Sequence, residues 1–184
     1  MSAPVPMSGS MTVEQYLSYE APEGMRDELI EGEIILSPSP KPRHAGICMR
    51  LYDLLRDALS ESDFVIRFDT SMRLTGKDMP RPYVFVMDAI RWEAAELADK
   101  YPDGSPQLPI EIFSPSNARR TFKRKIDLYL KNGALAVWIV YPDKKTVTVH
   151  TAEDTKQYSA GDSIQLPQSL PSVSIPVSRI FKVA

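Results

Sequence analysis

The sequence predicts a single α/β (α+β) domain, a mixed central sheet flanked by helices. Three observations predict it. Residues 108–140 read as strand, helix, strand, the unit of a parallel crossover. The stretches on either side of that unit read as antiparallel pairs. The run "ALAVWIVYP" (134–142) is continuously apolar, as a central strand covered on both faces must be. A chain of 184 residues is long enough for one core. Residues 1–10 are rich in Pro and Ser and are expected to be a flexible N-terminus. Residues 11–184 then form the domain, with no repeat and no second domain.

The elements follow in order. Thr12 and Gln15 in "MTVEQYLSYE" fit a capping box and start a short helix. "DELIEGEIILSPS" reads as a hairpin, Asp27–Ile30 and Glu33–Leu36 around a Glu31-Gly32 turn. A proline-punctuated loop leads to "HAGICMRLYDLLRDALSE", where Ile47, Leu51, Leu54, Leu55 and Leu59 recur at helical spacing. "DFVIRFDTSMRLTG" predicts two short strands, and Tyr83–Met87 a strong one. "AAELADKYPDGSP" is a helical turn and loop. "QLPIEIFS" is the next strand. A helix follows, capped near Ser116 or Asn117 and stopped at Asn132-Gly133. "KKTVTVHTA" alternates polar and apolar residues and is expected at a sheet edge, before a tail of strands and loops.

Composition excludes several classes. Hydrophobic residues are 43% and charged residues 25%, as in ordinary globular domains. There is no apolar run of membrane-spanning length, so no membrane partner is expected. The N-terminal segment lacks a secretory pattern, and the lone Cys48 forms no internal disulfide, which together predict a cytoplasmic location. Two histidines, His44 and His150, are too few for a multi-histidine metal site. A net charge of −2 argues against nucleic-acid binding by bulk charge and requires a local basic patch instead.

One residue does not fit its strand. Glu111 lies among Ile110, Ile112 and Phe113, where an unpaired carboxylate costs several kcal/mol or more. Strand alternation puts Glu111 and Phe113 on one face, near the carboxyl end, where open α/β sheets place ligands. On the next helix, Phe122, Ile126, Tyr129 and Leu130 form the core stripe, and Lys125 lies beside it. Arg119, Arg120, Lys123 and Arg124 share that helix. Such a run is ordinarily a solvated face.

The blocks "ELIEGEIILSPSPKPRH", "RPYVFV", "PQLPIEIFSPSNARR" and "KIDLYLKNGALAVWIVYPDKKTVTVH" carry a resemblance. In this order and spacing, including Lys125, Tyr129 and Gly133, the chain resembles the putative restriction endonuclease family of the PD-(D/E)XK nuclease superfamily. The resemblance implies a restriction-endonuclease-like fold and Mg²⁺-dependent hydrolysis of DNA. It implies Glu28 and Glu111 as metal ligands, with Glu111 and Lys125 as catalytic residues. Hard carboxylate oxygens suit Mg²⁺, which polarises the scissile phosphate and helps ionise water.

The chain departs from the family pattern at one position. The first acid should follow Pro82, where Tyr83 stands, and a neutral phenol is a poor Mg²⁺ ligand. Asp88 lies five residues on and on the opposite face. Asp78 precedes the strand and would have to fold back to substitute. Three functions therefore stay open. The chain is a Mg²⁺-dependent DNA endonuclease, active or impaired. Or it is a degenerate relative binding nucleic-acid phosphates through Arg119, Arg120, Lys123 and Arg124. Or it is a homodimeric interaction module in which Glu111 and Lys125 form only an internal ion pair.

Overall fold

The computed structural model describes residues 10–114 and 119–182, with the side chain of Arg119 excluded. The expected flexible stretch at 1–9 and the expected helix cap at Ser116 or Asn117 lie outside these residues.

Helix α1 (Val13–Tyr16) begins at the capping box, Thr12 Oγ1 accepting from Gln15 N and Gln15 Oε1 accepting from Thr12 N. Strands β1 (Met25–Ile30) and β2 (Glu33–Pro38) form the hairpin, longer at both outer ends than the sequence suggests. Its two-residue turn has positive φ at both Glu31 (52°) and Gly32 (74°), matching the twist of antiparallel strands. Helix α2 (Pro42–Ala58) opens with proline in its first turn and buries Ile47, Leu51 and Leu55.

The central sheet has six strands in the order β3-β4-β5-β6-β7-β8. These are β3 (Phe64–Phe68), β4 (Val84–Asp88), β5 (Leu108–Ile112), β6 (Val137–Tyr141), β7 (Thr146–His150) and β8 (Thr155–Tyr158). Among the described strands of this sheet, β5 and β6 are the parallel pair, joined through helix α4 (Arg119–Lys131). The mixed sheet and the crossover are as the sequence predicts. Helix α3 (Ala89–Leu97) is a full two turns, started by the Asp88 carboxylate accepting from Arg91 N. Strands β9 (Ser163–Gln165) and β10 (Ser174–Pro176) pair separately, before helix α5 (Val177–Phe181).

Several expectations are corrected. The second strand expected in 63–76 is a loop with isolated bridges, because Arg73 N donates to Pro102 O, Arg73 O accepts from Gly104 N, and Leu74 N and Thr75 N donate to Asp78 O. Strand β4 starts at Val84, so Tyr83 stands just before it. Strand β7 is internal, since the polar segment at 155–158 adds β8 outside it. The tail ends in a helix.

Side chains of the sheet separate two cores. On one face, α2 and α5 cover Val84, Ile110, Ile112, Trp138 and Val140. On the other, α4 places Phe122 and Tyr129 against Val137 and Ile139. Glu111 is in register with Ile139, so it faces α4.

Candidate active site

Three elements meet at the site. Strand β1 carries Arg26 and Glu28, two residues apart and therefore on one face. Strand β5 carries Glu111. Helix α4 turns Lys125 inward, because Lys125 shares the face of Phe122 and Tyr129, which the apolar stripe directs to the sheet. Glu28, Glu111 and Lys125 are only 3%, 1% and 3% exposed.

Lys125 Nζ bridges the two acids, 2.7 Å from Glu28 Oε2 and 2.6 Å from Glu111 Oε1. The Tyr129 hydroxyl donates to Glu111 Oε1 at 2.9 Å, and Arg81 N donates to Glu28 Oε2 at 3.1 Å. Glu111 Oε2 is buried with no hydrogen-bond partner. Burial pushes Glu111 up from the usual carboxylate range, and Lys125 reverses that only in part. Burial works against the Lys125 charge, but the two carboxylates outweigh it and hold the ammonium above its usual value. Burial, then Glu111, raises Tyr129 well above an ordinary phenol, so its hydroxyl remains a donor.

Arg26 is the residue that sequence reading missed. It is buried and pairs with Asp69 Oδ1 through Nε at 2.6 Å, while its Nη2 donates to Arg81 O. Burial opposes its charge, and Glu28 among its neighbours sustains it. Its guanidinium lies 4.3 Å from the centre of the Tyr83 ring. The available signal was its two-residue spacing from Glu28 on one strand.

Tyr83 stands one step beyond the pair Val84 and Ile110, which extends the register to Glu111. Its ring meets that of His44 at 4.2 Å, nearly edge-on, and burial raises its pKa, so it stays a neutral phenol. His44 lies in the first turn of α2, half-buried, with Nδ1 3.6 Å from Cys48 Sγ. Burial, aided by Arg26, lowers its pKa to about 4. A cleft of about 450 Å³, lined by Arg43, His44, Tyr83, Phe113 and Ser114 among others, opens here. Tyr83 and His44 therefore line the cleft, which neither carboxylate does.

The basic helix residues divide. Arg120 and Lys123 are exposed. Arg124 lies 2.7 Å from Glu31 Oε2 and 2.6 Å from Glu33 Oε2, and donates to Ile30 O. Its donors are committed to the hairpin turn. Asp78 is likewise committed, its carboxylate accepting from Glu31 N and Thr75 Oγ1 at 2.5 Å each.

A profile of the Uma2 family, described as putative restriction endonuclease, matches residues 13–178. The chain belongs to the Uma2 family. Among solved structures, this Uma2 chain is similar to a putative nuclease belonging to DUF820 from Anabaena variabilis, with a TM-score of 0.80 and 21% identity. The match covers 93% of this chain and 97% of that one, and it establishes the fold. A comparison with curated proteins gives no match. Family and fold together support a nuclease-like function.

The residues of this Uma2 chain do not fit a divalent metal as they stand. Glu28 and Glu111 meet Lys125, and Asp69 pairs with both Arg26 and Arg81, so three carboxylates face three cations and the cluster is already neutral. Adding a dication to a neutral, buried cluster is opposed by desolvation, with no surplus anion to offset it. Among the described residues no group of three or more metal-donor side chains converges.

Proposed function

We propose that this protein is a nuclease-fold protein that binds DNA through its phosphates and has lost Mg²⁺-dependent cleavage. The observation that carries the reading is the Glu28–Lys125–Glu111 cluster, in which a buried lysine occupies the space between the two acids, with Arg26 and Tyr83 beside it. In a nuclease centre of this type a metal would supply the Lewis acid and the nucleophile. Here Lys125 bridges the two carboxylates instead, Arg26 is held beside them by Asp69, and Tyr83 contributes a neutral hydroxyl. The family and fold support a nucleic-acid partner, and the exposed Arg120 and Lys123 suit phosphate contacts.

A second reading is retained Mg²⁺-dependent DNA hydrolysis, with Glu28 and Glu111 as ligands and Lys125 at the nucleophile. One observation favours it. Glu111 Oε2 is a buried acceptor without a partner, which a hard cation would satisfy.

Titration calorimetry with Mg²⁺ and nicking of supercoiled plasmid separate the two. The expected outcome is no metal binding and no nicking by the unaltered chain, with salt-sensitive DNA binding that weakens in Lys123→Ala. Tyr83→Asp, which restores an anionic surplus, is expected to bind Mg²⁺. Mg²⁺-dependent nicking by the unaltered chain, abolished in Glu111→Ala, would establish the second reading and reject the first.

A further inference from the structure

A row of residues crosses the sheet on the α4 face. Glu111 is in register with Ile139, Ile139 with Thr148, and Thr148 with Gln157. Its inner end lies under α4. Its outer end, at Thr148 and Gln157, forms the floor of a trough of about 610 Å³ between α4 and strands β7 and β8. That volume lies within the range of about 300–1,000 Å³ common for small-ligand sites.

The trough has an aromatic end and charged rims. Phe113, two residues beyond Glu111 and on the same face, lies 5.4 Å from Phe122 and 5.1 Å from Tyr141, ring centre to ring centre. Lys123 rises from α4 on one rim. On the other, Lys144 follows β6 in the turn to β7, with Nζ 5.9 Å from the Tyr141 ring centre. Both lysines are exposed. Among the described residues Asp127 is the one acid lining the trough, so the two lysines leave it net positive. Phe113 also lines the cleft over Tyr83, which makes trough and cleft neighbours.

We infer that this trough holds an unpaired nucleotide of a single-stranded nucleic acid, its base against the Phe113–Tyr141 wall and its phosphates on Lys123 and Lys144. The inference rests on the nucleic-acid-binding reading above and names the form of the ligand. An aromatic wall offers a π-face for stacking, which any base accepts. In a duplex both faces of each interior base are already stacked on neighbours, so no base is free to enter. The lysines outside the aromatic wall match a polyanion with an apolar base, and their sign excludes a polycation.

Fluorescence anisotropy with labelled oligo-dT, an abasic oligonucleotide of the same length and a duplex tests this. Oligo-dT is expected to bind about tenfold tighter than the abasic strand. Lys144→Ala, at an exposed position, should weaken oligo-dT and leave the fold intact by circular dichroism. Phe113→Leu should remove the preference for bases over the abasic strand. Equal binding of the oligo-dT and abasic strands overturns the inference. Duplex binding without single-strand binding overturns it too, while leaving the reading of DNA binding in place. No binding to any of the three removes both. A dimer in sedimentation that Lys144→Glu dissociates would assign the trough to a second copy, against the inference.

Discussion

Lys125 is a buried cation held by two acids, and its removal strands them. Breaking a buried pair by deleting one partner leaves an uncompensated charge, at a cost of about 3–5 kcal/mol. Lys125→Met is therefore expected to lower the urea midpoint strongly, whereas a change under about 1 kcal/mol would mean that water already reaches the pair. His44 carries the acid dependence at this scale. Its folded pKa, about 4, lies below the ordinary 6.5, so the folded state resists its protonation. The stability it contributes is full above pH 6.5 and drains away as pH falls toward 4. Urea midpoints measured across that window should fall less steeply in His44→Leu than in the unaltered chain, and parallel curves would dismiss the assignment. Glu111 and Lys125 were legible in the sequence as charges at or beside apolar positions, and Glu28 through the resemblance alone. Arg26 was not, because an arginine near a strand start reads as solvent-facing until something buries it. The burial of His44 was not legible either. A histidine after prolines looks exposed, and only the packing of α2 against Tyr83 encloses it.

Among the elements, α4 does two jobs with opposite faces. Its inner face delivers Lys125 and Tyr129 to Glu111, while Arg124 on its flank ties it to the hairpin turn. Pairs with exposed acids such as Glu31 and Glu33 are each worth about 0–1 kcal/mol. Arg124→Ala is thus expected to cost about 1 kcal/mol in denaturation and to leave the salt slope of DNA binding unchanged. A slope reduced as far as in Lys123→Ala would show that Arg124 reaches phosphate after all. Sequence periodicity exposed the strong elements, α2, β5, α4 and β6, since each buries a complete stripe or run. The weaker ones escaped it for physical reasons. Strand β8 is largely exposed and exists because β7 offers it backbone partners. Helix α3 buries no residue, so its apolar pattern carried no register to read. The long loop after β3 follows hydrogen bonds to distant segments that no local pattern encodes.

At the scale of the molecule, the mixed sheet was legible because a crossover from 108 to 140 leaves few other topologies. What the sequence could not display was how the hairpin sits on that sheet. Its contacts run through Leu29 and Met79, with amide and carbonyl exchanged in both directions, and through Arg124. This arrangement has a kinetic consequence. Glu28 comes from the start of the chain, Glu111 and Lys125 from its middle, and β5 joins β6 only after a long loop has closed. Closing such loops costs entropy before any contact rewards it. The three charges can meet only when the hairpin, the parallel pair and the crossover helix have all arrived. The cluster is thus expected to close late in folding, with the lysine and both glutamates still hydrated and apart in an immature chain.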